Sequence, residues 1–301
     1  MSVHSLVSAK PSLSSAPRAA VVIPCFNDGE TVIDAVRSVQ DQEACELVVV
    51  NDGSTDRATL NVLSELVRSG CEVVHQRNRG TSAARMTGVW ATTAPYVFPL
   101  DADDALLPGA VAALADTLDA QTDVAAVWGG LTLFGEVEPQ PLRRRPARLD
   151  PWRITYFNNL PYSALFKRNA LLAVGGWSLS GPYQDWDLWM SLAEAGYRAS
   201  AVERPVHRYR LHGPRQFARG AAQHDRIYAE LRNRHPRLFA ERRRNWLRSS
   251  DPWRVRLAVP LAASIPGLAQ RHRHRLFTLA DSPREAADKA RLRLRRGRSH
   301  S

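Results

Sequence analysis

Three carboxylates within four residues follow a short apolar segment of the chain. Residues 96–100 have the composition of a buried strand, and Asp101, Asp103 and Asp104 come directly after them. Carboxylates held this close together must bind a cation or keep their charges fully solvated. The pattern therefore indicates a cation site, unless the three aspartates only begin the next helix as a solvated N-terminal cluster.

The elements that must position these carboxylates alternate regularly. Short β-branched runs predict strands, and apolar residues three and four positions apart predict helices. The expected strands are 19–24, 46–50, 72–75 and 96–100, and the expected helices are 31–40, 60–67 and 81–91. This alternation predicts an α/β fold with a doubly wound, mostly parallel sheet and flanking helices, in which ligands bind at the C-terminal ends of the strands.

After the aspartates the pattern becomes less regular, and it closes with two short strand-like runs. We therefore expect two short closing strands there, at 198–202 and 206–211. Before them we expect a helix, a strand, a Pro- and Arg-rich loop and a second helix, at 111–118, 124–128, 135–150 and 188–193.

The formal net charge of +11 is concentrated at one end of the chain. Residues 1–240 carry 25 basic and 25 acidic side chains, whereas residues 241–301 carry 16 basic and 5 acidic ones. An excess confined to the last fifth of the chain indicates a segment with a role of its own.

Several classes of protein do not fit this sequence. It contains no run of roughly 18 apolar residues, and residues 1–17, which we expect to be flexible, lack the apolar centre of a signal peptide. The three cysteines are scattered, as is typical of reduced thiols. Neither a dinucleotide-binding glycine motif nor a Walker lysine loop follows the first strand. We expect a cytoplasmic protein.

Six motifs follow one another along the chain: Val-Val-Ile-Pro-Cys-Phe-Asn (21–27), Val-Val-Val-Asn-Asp-Gly-Ser-Thr-Asp (48–56), Arg-Asn-Arg-Gly-Thr-Ser-Ala-Ala-Arg (77–85), Leu-Asp-Ala-Asp-Asp (100–104), Gly-Gly-Trp (175–177) and Asp-Trp-Asp-Leu-Trp (185–189). In this order and spacing they resemble the inverting glycosyltransferases of family 2, which have the GT-A fold. The resemblance implies a GT-A domain at 18–215, with a nucleotide-binding half (18–104) and an acceptor half (105–215). Residues 216–301 would then form a C-terminal basic helical extension.

The resemblance also implies a nucleotide-sugar donor, carrying UDP or dTDP. Asp52 would accept a hydrogen bond from the base, although residues 51–54 also have the composition of an ordinary turn and helix cap. Arg85 would hold the acidic loop or meet the diphosphate, and Asp101 would face the ribose or the base. The other residues expected to line the nucleotide pocket are Pro24, Phe26, Asn27 and Ala102.

A divalent cation, Mg²⁺ or Mn²⁺, is implied as the cofactor. Asp103 is the expected ligand because both ions prefer oxygen donors, and Asp104 would hold the loop or assist the metal. By resemblance His212, after the last strand, is a second candidate ligand. A structural role for this histidine remains open, and His207 lies close by.

Asp185 is the expected general base, because an inverting transfer needs a carboxylate on the acceptor side. Family members usually show Glu-Asp at this point, and this chain has Gln184 before Asp185. Asp187 lies about 200° further around a helix, so we expect it at the surface or as a cap. Trp186 is a candidate for stacking on the acceptor sugar, whereas Trp189 fits the core.

The basic segment 241–301 interleaves arginines with tryptophan and leucine, which suits an anionic membrane surface. A helical extension packed on the core is the other interpretation, and no nucleic-acid motif is present. The sequence thus predicts a single-addition glycosyltransferase that acts on a cell-envelope glycan, a glycolipid or a glycosylated metabolite, peripheral on the inner face of the membrane. The alternatives are a non-catalytic nucleotide-sugar-binding or scaffold protein, and a nucleotidyltransferase, for which residues 18–31 lack the glycine-rich loop.

Overall fold

The computed structural model describes residues 16–136, 140–142, 146–211, 223–265, 268 and 270–281. Most of the flexible segment predicted at 1–17, the candidate ligand His212 and the last twenty residues of the basic tail lie outside this part of the chain. The chain divides into two compact units. The first comprises Met1–Leu149 with Asn159–Arg215, and the second comprises Asp150–Asn158 with Gln216–Ser301.

The first unit begins with the predicted alternation of strands and helices. Its elements are β1 (Ala19–Cys25), α1 (Gly29–Gln40), β2 (Cys45–Asp52), α2 (Arg57–Arg68), β3 (Glu72–Gln76), α3 (Thr81–Ala91) and β4 (Tyr96–Pro99). The four strands are parallel, in the order β3-β2-β1-β4. Cys25 pairs with Asn51 and Asp52 pairs with Gln76, so the C-terminal ends of β1, β2 and β3 lie side by side.

The rest of the first unit extends this sheet with strands of both directions. The elements are β5 (Ala105–Leu106), α4 (Ala110–Ala120), β6 (Val124–Gly135), β7 (Gln140–Leu142), β8 (Leu165–Lys167), α5 (Arg168–Ala173), α6 (Gln184–Glu194) and β9 (Arg198–Leu211). In the described residues the sheet has nine strands, in the order β3-β2-β1-β4-β8-β6-β9-β5, with β7 beside β6. The predicted mostly parallel sheet with flanking helices is confirmed.

Two predictions about the later strands were wrong. The expected loop at 135–150 contains β7, and the two expected closing strands form one continuous strand, β9. Pro205 is tolerated inside β9 because it pairs with Gly130 at an irregularity of the β6–β9 register. A Cβ on the adjacent Gly129 would lie 2.7 Å from the carbonyl oxygen of Arg204, so glycine permits this close approach.

The core of the first unit fills the space between the sheet and its helices. Its largest members come from the strands and from α1, α2 and α4, and include Ile23, Val36, Leu63, Phe98 and Leu114. Because these residues recur on one side of each helix, burial holds the helices to the sheet and leaves the strand ends for polar side chains.

The second unit is helical. It contains a short 3₁₀ helix (Arg153–Thr155), α7 (His224–Arg234), α8 (Pro236–Ala240), α9 (Arg242–Arg248), α10 (Trp253–Ser264) and α11 (Gln270–Asp281). Trp152, Phe157, Val255, Val259, Ala262 and Phe277 form its core, and the Arg153 guanidinium pairs with Asp251 and Asp281. No helix in the described part of the chain is long and apolar enough to cross a membrane.

Candidate active site

Asp52 lies at the end of β2 and organises the loop that leads into α3. Its carboxylate accepts hydrogen bonds from Gln76 Nε2 (2.6 Å) and from the backbone N–H groups of Arg79 (2.8 Å) and Gly80 (2.8 Å). The side chain is buried. This carboxylate therefore holds the entry to α3 in place, and only the lone pairs left by these bonds could receive a ligand.

The end of β1 is tied to the loop after β2. Asn27 has a positive φ of 60°, and its Oδ1 accepts the backbone N–H groups of Thr55 (2.8 Å) and Asp56 (3.0 Å). Asparagine tolerates the left-handed region better than most residues. Pro24 is buried in β1, whereas Phe26 is 43% exposed and so is not part of the core.

The three aspartates after β4 are brought together, but they have different surroundings. One carboxylate oxygen from each of Asp101, Asp103 and Asp104 lies within 4.8 Å of the other two. Asp101 and Asp103 are partly exposed, whereas Asp104 and Ala102 are buried. Three negative charges at this separation repel one another strongly unless cations or hydrogen-bond donors compensate them.

The negative charge of Asp104 is compensated by hydrogen-bond donors from elsewhere in the chain. Its Oδ1 accepts the backbone N–H of Arg210 (2.7 Å), and its Oδ2 accepts the hydroxyl of Tyr162 and lies 3.0 Å from Nε2 of His207. Burial, and then the nearby charge of Asp101, raises the pKa of Tyr162 well above its ordinary value. The hydroxyl therefore stays protonated and is the donor of the hydrogen bond to Asp104. The Arg210 side chain also binds the carbonyl oxygen of Asp103 (2.8 Å). Asp104 thus fixes the aspartate loop to β9.

Arg85 compensates Asp101. Its Nη2 donates to Asp101 Oδ1 at 2.6 Å, and its guanidinium carbon lies 5.2 Å from the ring centre of Tyr162 and 5.6 Å from that of Trp177. The side chain is buried, yet among the residues that the structure describes neither Nε nor Nη1 of Arg85 has a hydrogen-bond partner. Buried donors without partners are costly, so these two N–H groups favour an acceptor supplied by a ligand.

Asp185 lies in the first turn of α6, and the residues around it connect this helix to α3. Tyr183, which precedes the helix, has a φ of 68°, and Gln184 Oε1 contacts the hydroxyl of Ser82. Trp186 is buried edge-on against Tyr183, so a stack on an acceptor sugar would first require its ring to be uncovered. Asp187 was expected at the surface or as a cap, but it is fully buried, because the helix turns it towards the hydroxyl of Ser178 (3.3 Å).

The N-terminal half of α3 joins these groups. Gly80 binds Asp52, Ser82 contacts Gln184, and Arg85 binds Asp101. Two carboxylates and the start of α6, which are far apart in sequence, therefore converge around a single helix terminus. Because the N-terminus of a helix carries positive partial charge, this arrangement also favours a negatively charged ligand nearby.

The donor set suits a divalent cation of the Mg²⁺ or Mn²⁺ type. Carboxylate oxygens are the preferred ligands of these ions, and the partly exposed Asp101 and Asp103 carry them at the strand end. Asp104 has its oxygens engaged by Arg210 and Tyr162. The sequence did not identify Tyr162 as the partner of Asp104 or Ser82 as the partner of Gln184, because an isolated hydroxyl gives no periodic signal. It named His207 only as a neighbour of His212.

Comparison of the sequence with known proteins identifies one family of enzymes. Residues 20–175 match the sequence profile of the family described as Glycosyl transferase family 2. Poly(ribitol-phosphate) beta-N-acetylglucosaminyltransferase TarP of Staphylococcus aureus is 35% identical over 97 residues, which are 30% of this chain and 29% of TarP. The chain spans 40% or less of two other curated relatives as well.

Two solved structures share the fold. S. aureus TarS 1-349 in complex with UDP-GlcNAc superimposes with a TM-score of 0.59 at 14% identity, over 87% of this chain and 79% of that one. The mannosyltransferase PcManGT from Pyrobaculum calidifontis, in complex with GDP-Man and Mn²⁺, gives a TM-score of 0.55 at 20% identity, over 92% of this chain and 86% of that one.

Proposed function

Since the chain belongs to glycosyl transferase family 2, we propose that it is an inverting glycosyltransferase that uses a UDP- or dTDP-sugar. The acceptor is a hydroxyl of a cell-envelope glycan, a glycolipid or a similar molecule. One observation carries the proposal: α3 connects a carboxylate at the end of β2, the aspartate loop after β4 and the start of α6 through direct contacts. A transferase of this kind needs its nucleotide, leaving-group and acceptor groups in one place.

The nucleotide lies at the ends of β1 and β2 in this proposal. Asp52 accepts the N3–H of uracil or thymine with a remaining lone pair, and the exposed ring of Phe26 covers the base. Pro24, Asn27 and Ala102 shape the pocket through their backbone. The UDP-GlcNAc in TarS supports a uracil donor, and the GDP-Man in PcManGT makes guanine the competitor to test.

Asp103 is the proposed metal ligand, with Asp101 beside it. When bound, the cation would neutralise the charge that develops on the departing diphosphate. Arg85 keeps Asp101 oriented, and its Nε and Nη1 donate to the donor diphosphate. Asp104 holds the loop and does not bind the metal, because its oxygens are committed to Arg210 and Tyr162.

Asp185 is the proposed general base. The acceptor hydroxyl gives its proton to the Asp185 carboxylate while its oxygen forms a bond to the anomeric carbon. On the opposite face, the bond from that carbon to the diphosphate oxygen breaks, and the configuration inverts. Gln184, which contacts Ser82, fixes the first turn of α6 and so the direction of the neighbouring carboxylate.

The acceptor class is proposed from relatives and from charge. TarP is named for a poly(ribitol-phosphate) acceptor, and residues 241–301 carry 16 basic and 5 acidic side chains. We propose an acceptor displayed at an anionic membrane surface. The second unit would meet the cytoplasmic face of that membrane.

The first experiment identifies the donor. The thermal unfolding temperature is measured with UDP, dTDP and GDP, and with their sugars, in the presence of Mn²⁺ or Mg²⁺. Uridine or thymidine diphosphates should raise the transition temperature and GDP should not. Release of nucleotide diphosphate from the best donor is then compared between the wild type and Asp185→Asn.

Asp185→Asn should lower turnover by about 100-fold to 10,000-fold, which is the usual contribution of a general base, and leave the nucleotide-induced shift unchanged. Glu194→Gln is the matched control, since it removes a carboxylate from the far end of the same helix. Full turnover by Asp185→Asn would remove this residue as the base. Nucleotide binding by the wild type without any turnover would favour the non-catalytic alternative.

A further inference from the structure

Helix α10 in the second unit is apolar on two opposite sides. Its inner side is buried in the core through Val255, Val259 and Ala262. Its outer side carries three residues that are 75%, 50% and 66% exposed: Trp253, Leu257 and Leu261. We call these three the outer face. Steps of four residues advance about 40° around a helix, so the outer face forms a single stripe about 80° wide.

The outer face is not explained by the packing of the second unit. The inner side already joins α10 to Trp152, Phe157 and Phe277. A helix buried on one side is normally polar on the other, yet all three side chains of the outer face are at least half exposed to solvent. Large exposed apolar stripes usually mark a surface that binds something.

The helices around this stripe in sequence carry exposed arginines. Arg248 at the end of α9 and Arg254 in α10 are exposed, as is Arg275 in α11. Arg254 Nε donates to the carbonyl oxygen of Ala280 (3.0 Å), which places the start of α10 beside the end of α11. The outer face thus belongs to segment 241–301, which carries 16 basic and 5 acidic side chains.

We infer that the outer face of α10 inserts into the headgroup region of an anionic lipid bilayer. Tryptophan, leucine and arginine together are the composition of an interfacial helix, whose apolar side enters the acyl boundary while the arginines meet lipid phosphates. A second copy of the chain would bring like charges together, and a nucleic acid would leave the leucines exposed. The inference deepens the proposed membrane partner and rests on it.

The test uses the full chain and sedimentation with vesicles of phosphatidylcholine, with and without phosphatidylglycerol. The triple variant Trp253→Ser, Leu257→Ser, Leu261→Ser should bind the anionic vesicles on the order of 100-fold more weakly than the wild type, because three apolar side chains no longer leave water. Trp90→Ser is the matched control, since Trp90 is 69% exposed on α3 of the first unit, and it should bind like the wild type.

Three outcomes would overturn the inference. Undiminished binding by the triple variant would mean that charge alone holds the protein to lipid. A wild type that self-associates in light scattering, with a monomeric triple variant, would assign the outer face to a second copy. Destabilisation of the triple variant as large as that of a core substitution would mean that the chain itself covers this face. Nucleotide-induced thermal shifts are read separately, so failure here leaves the transferase proposal intact.

Discussion

Two neighbouring aspartates, Asp103 and Asp104, should respond oppositely to the same small change. Asp104 is fully buried and accepts hydrogen bonds from the Arg210 backbone and the Tyr162 hydroxyl. Asp104→Asn keeps the shape but removes the charge, and it turns one acceptor into a donor that faces another donor. Each charge-assisted hydrogen bond contributes about 1.5–3 kcal/mol, so we expect the free energy of unfolding to fall by about 3 kcal/mol.

Asp103→Asn should have the opposite effect when no metal is present. Oxygens of Asp101 and Asp104 lie within 4.8 Å of an Asp103 oxygen. At an effective dielectric constant of about 20, each such pair of charges repels by roughly 3.5 kcal/mol. Arg85 and partial exposure offset most of this repulsion. We therefore expect a gain of about 1 kcal/mol in the free energy of unfolding.

The assay is urea unfolding of the wild type and both variants, in EDTA and in Mn²⁺. A ligand at 100 times its dissociation constant stabilises the native state by about 2.7 kcal/mol, and Asp103→Asn should lose this gain. Tyr162→Phe, which removes one donor to Asp104, should reproduce part of the Asp104→Asn loss.

The outcome that would refute this reasoning is specific. If Asp103→Asn lowers stability in EDTA as much as Asp104→Asn does, the division between metal ligand and loop anchor is wrong. The same holds if Asp103→Asn keeps the full gain from Mn²⁺.

Two further predictions concern positions outside the aspartate loop. Gly176→Ala should lower the free energy of unfolding by about 1–3 kcal/mol, because φ is 62° and the new Cβ would lie 2.3 Å from Met86 Sδ. Gly181→Ala is the control for backbone strain alone, since its φ is 85° and nothing lies within 4 Å of the new Cβ. Adding Met86→Ala to Gly176→Ala should recover only the part of the loss that exceeds the loss in Gly181→Ala. Asp56 caps α2, and the backbone N–H of Thr59 is the main cause of the lowered pKa of its carboxyl. Its contribution to stability is therefore complete above the ordinary pKa of about 4 and is lost as the pH falls through the lower folded value. Asp56→Asn should flatten that part of the stability curve, and an unchanged slope would contradict the assignment.

Local patterns determined much of the first unit. The alternation of β-branched runs with amphipathic spacing placed the elements from β1 to β4 correctly, because those patterns follow directly from which faces are buried. The position of the polar residues at the strand ends could also be predicted, since a parallel sheet brings the C-terminal ends of its strands to one edge. The wrong division of β9 arose because Pro205 is a strand breaker on its own and becomes acceptable only opposite Gly130.

Roles within the site depended on tertiary contacts. Asp103 and Asp104 are the same residue type, one position apart. Asp104 is distinguished by its tertiary contacts with Tyr162 and the Arg210 backbone, which lie 58 and 106 residues away in sequence. Residues 150–158 interrupt the first unit in sequence yet pack with the second. Sequence patterns record which face of an element is buried, whereas the partner of a buried polar group is decided by the strands and helices that meet around it.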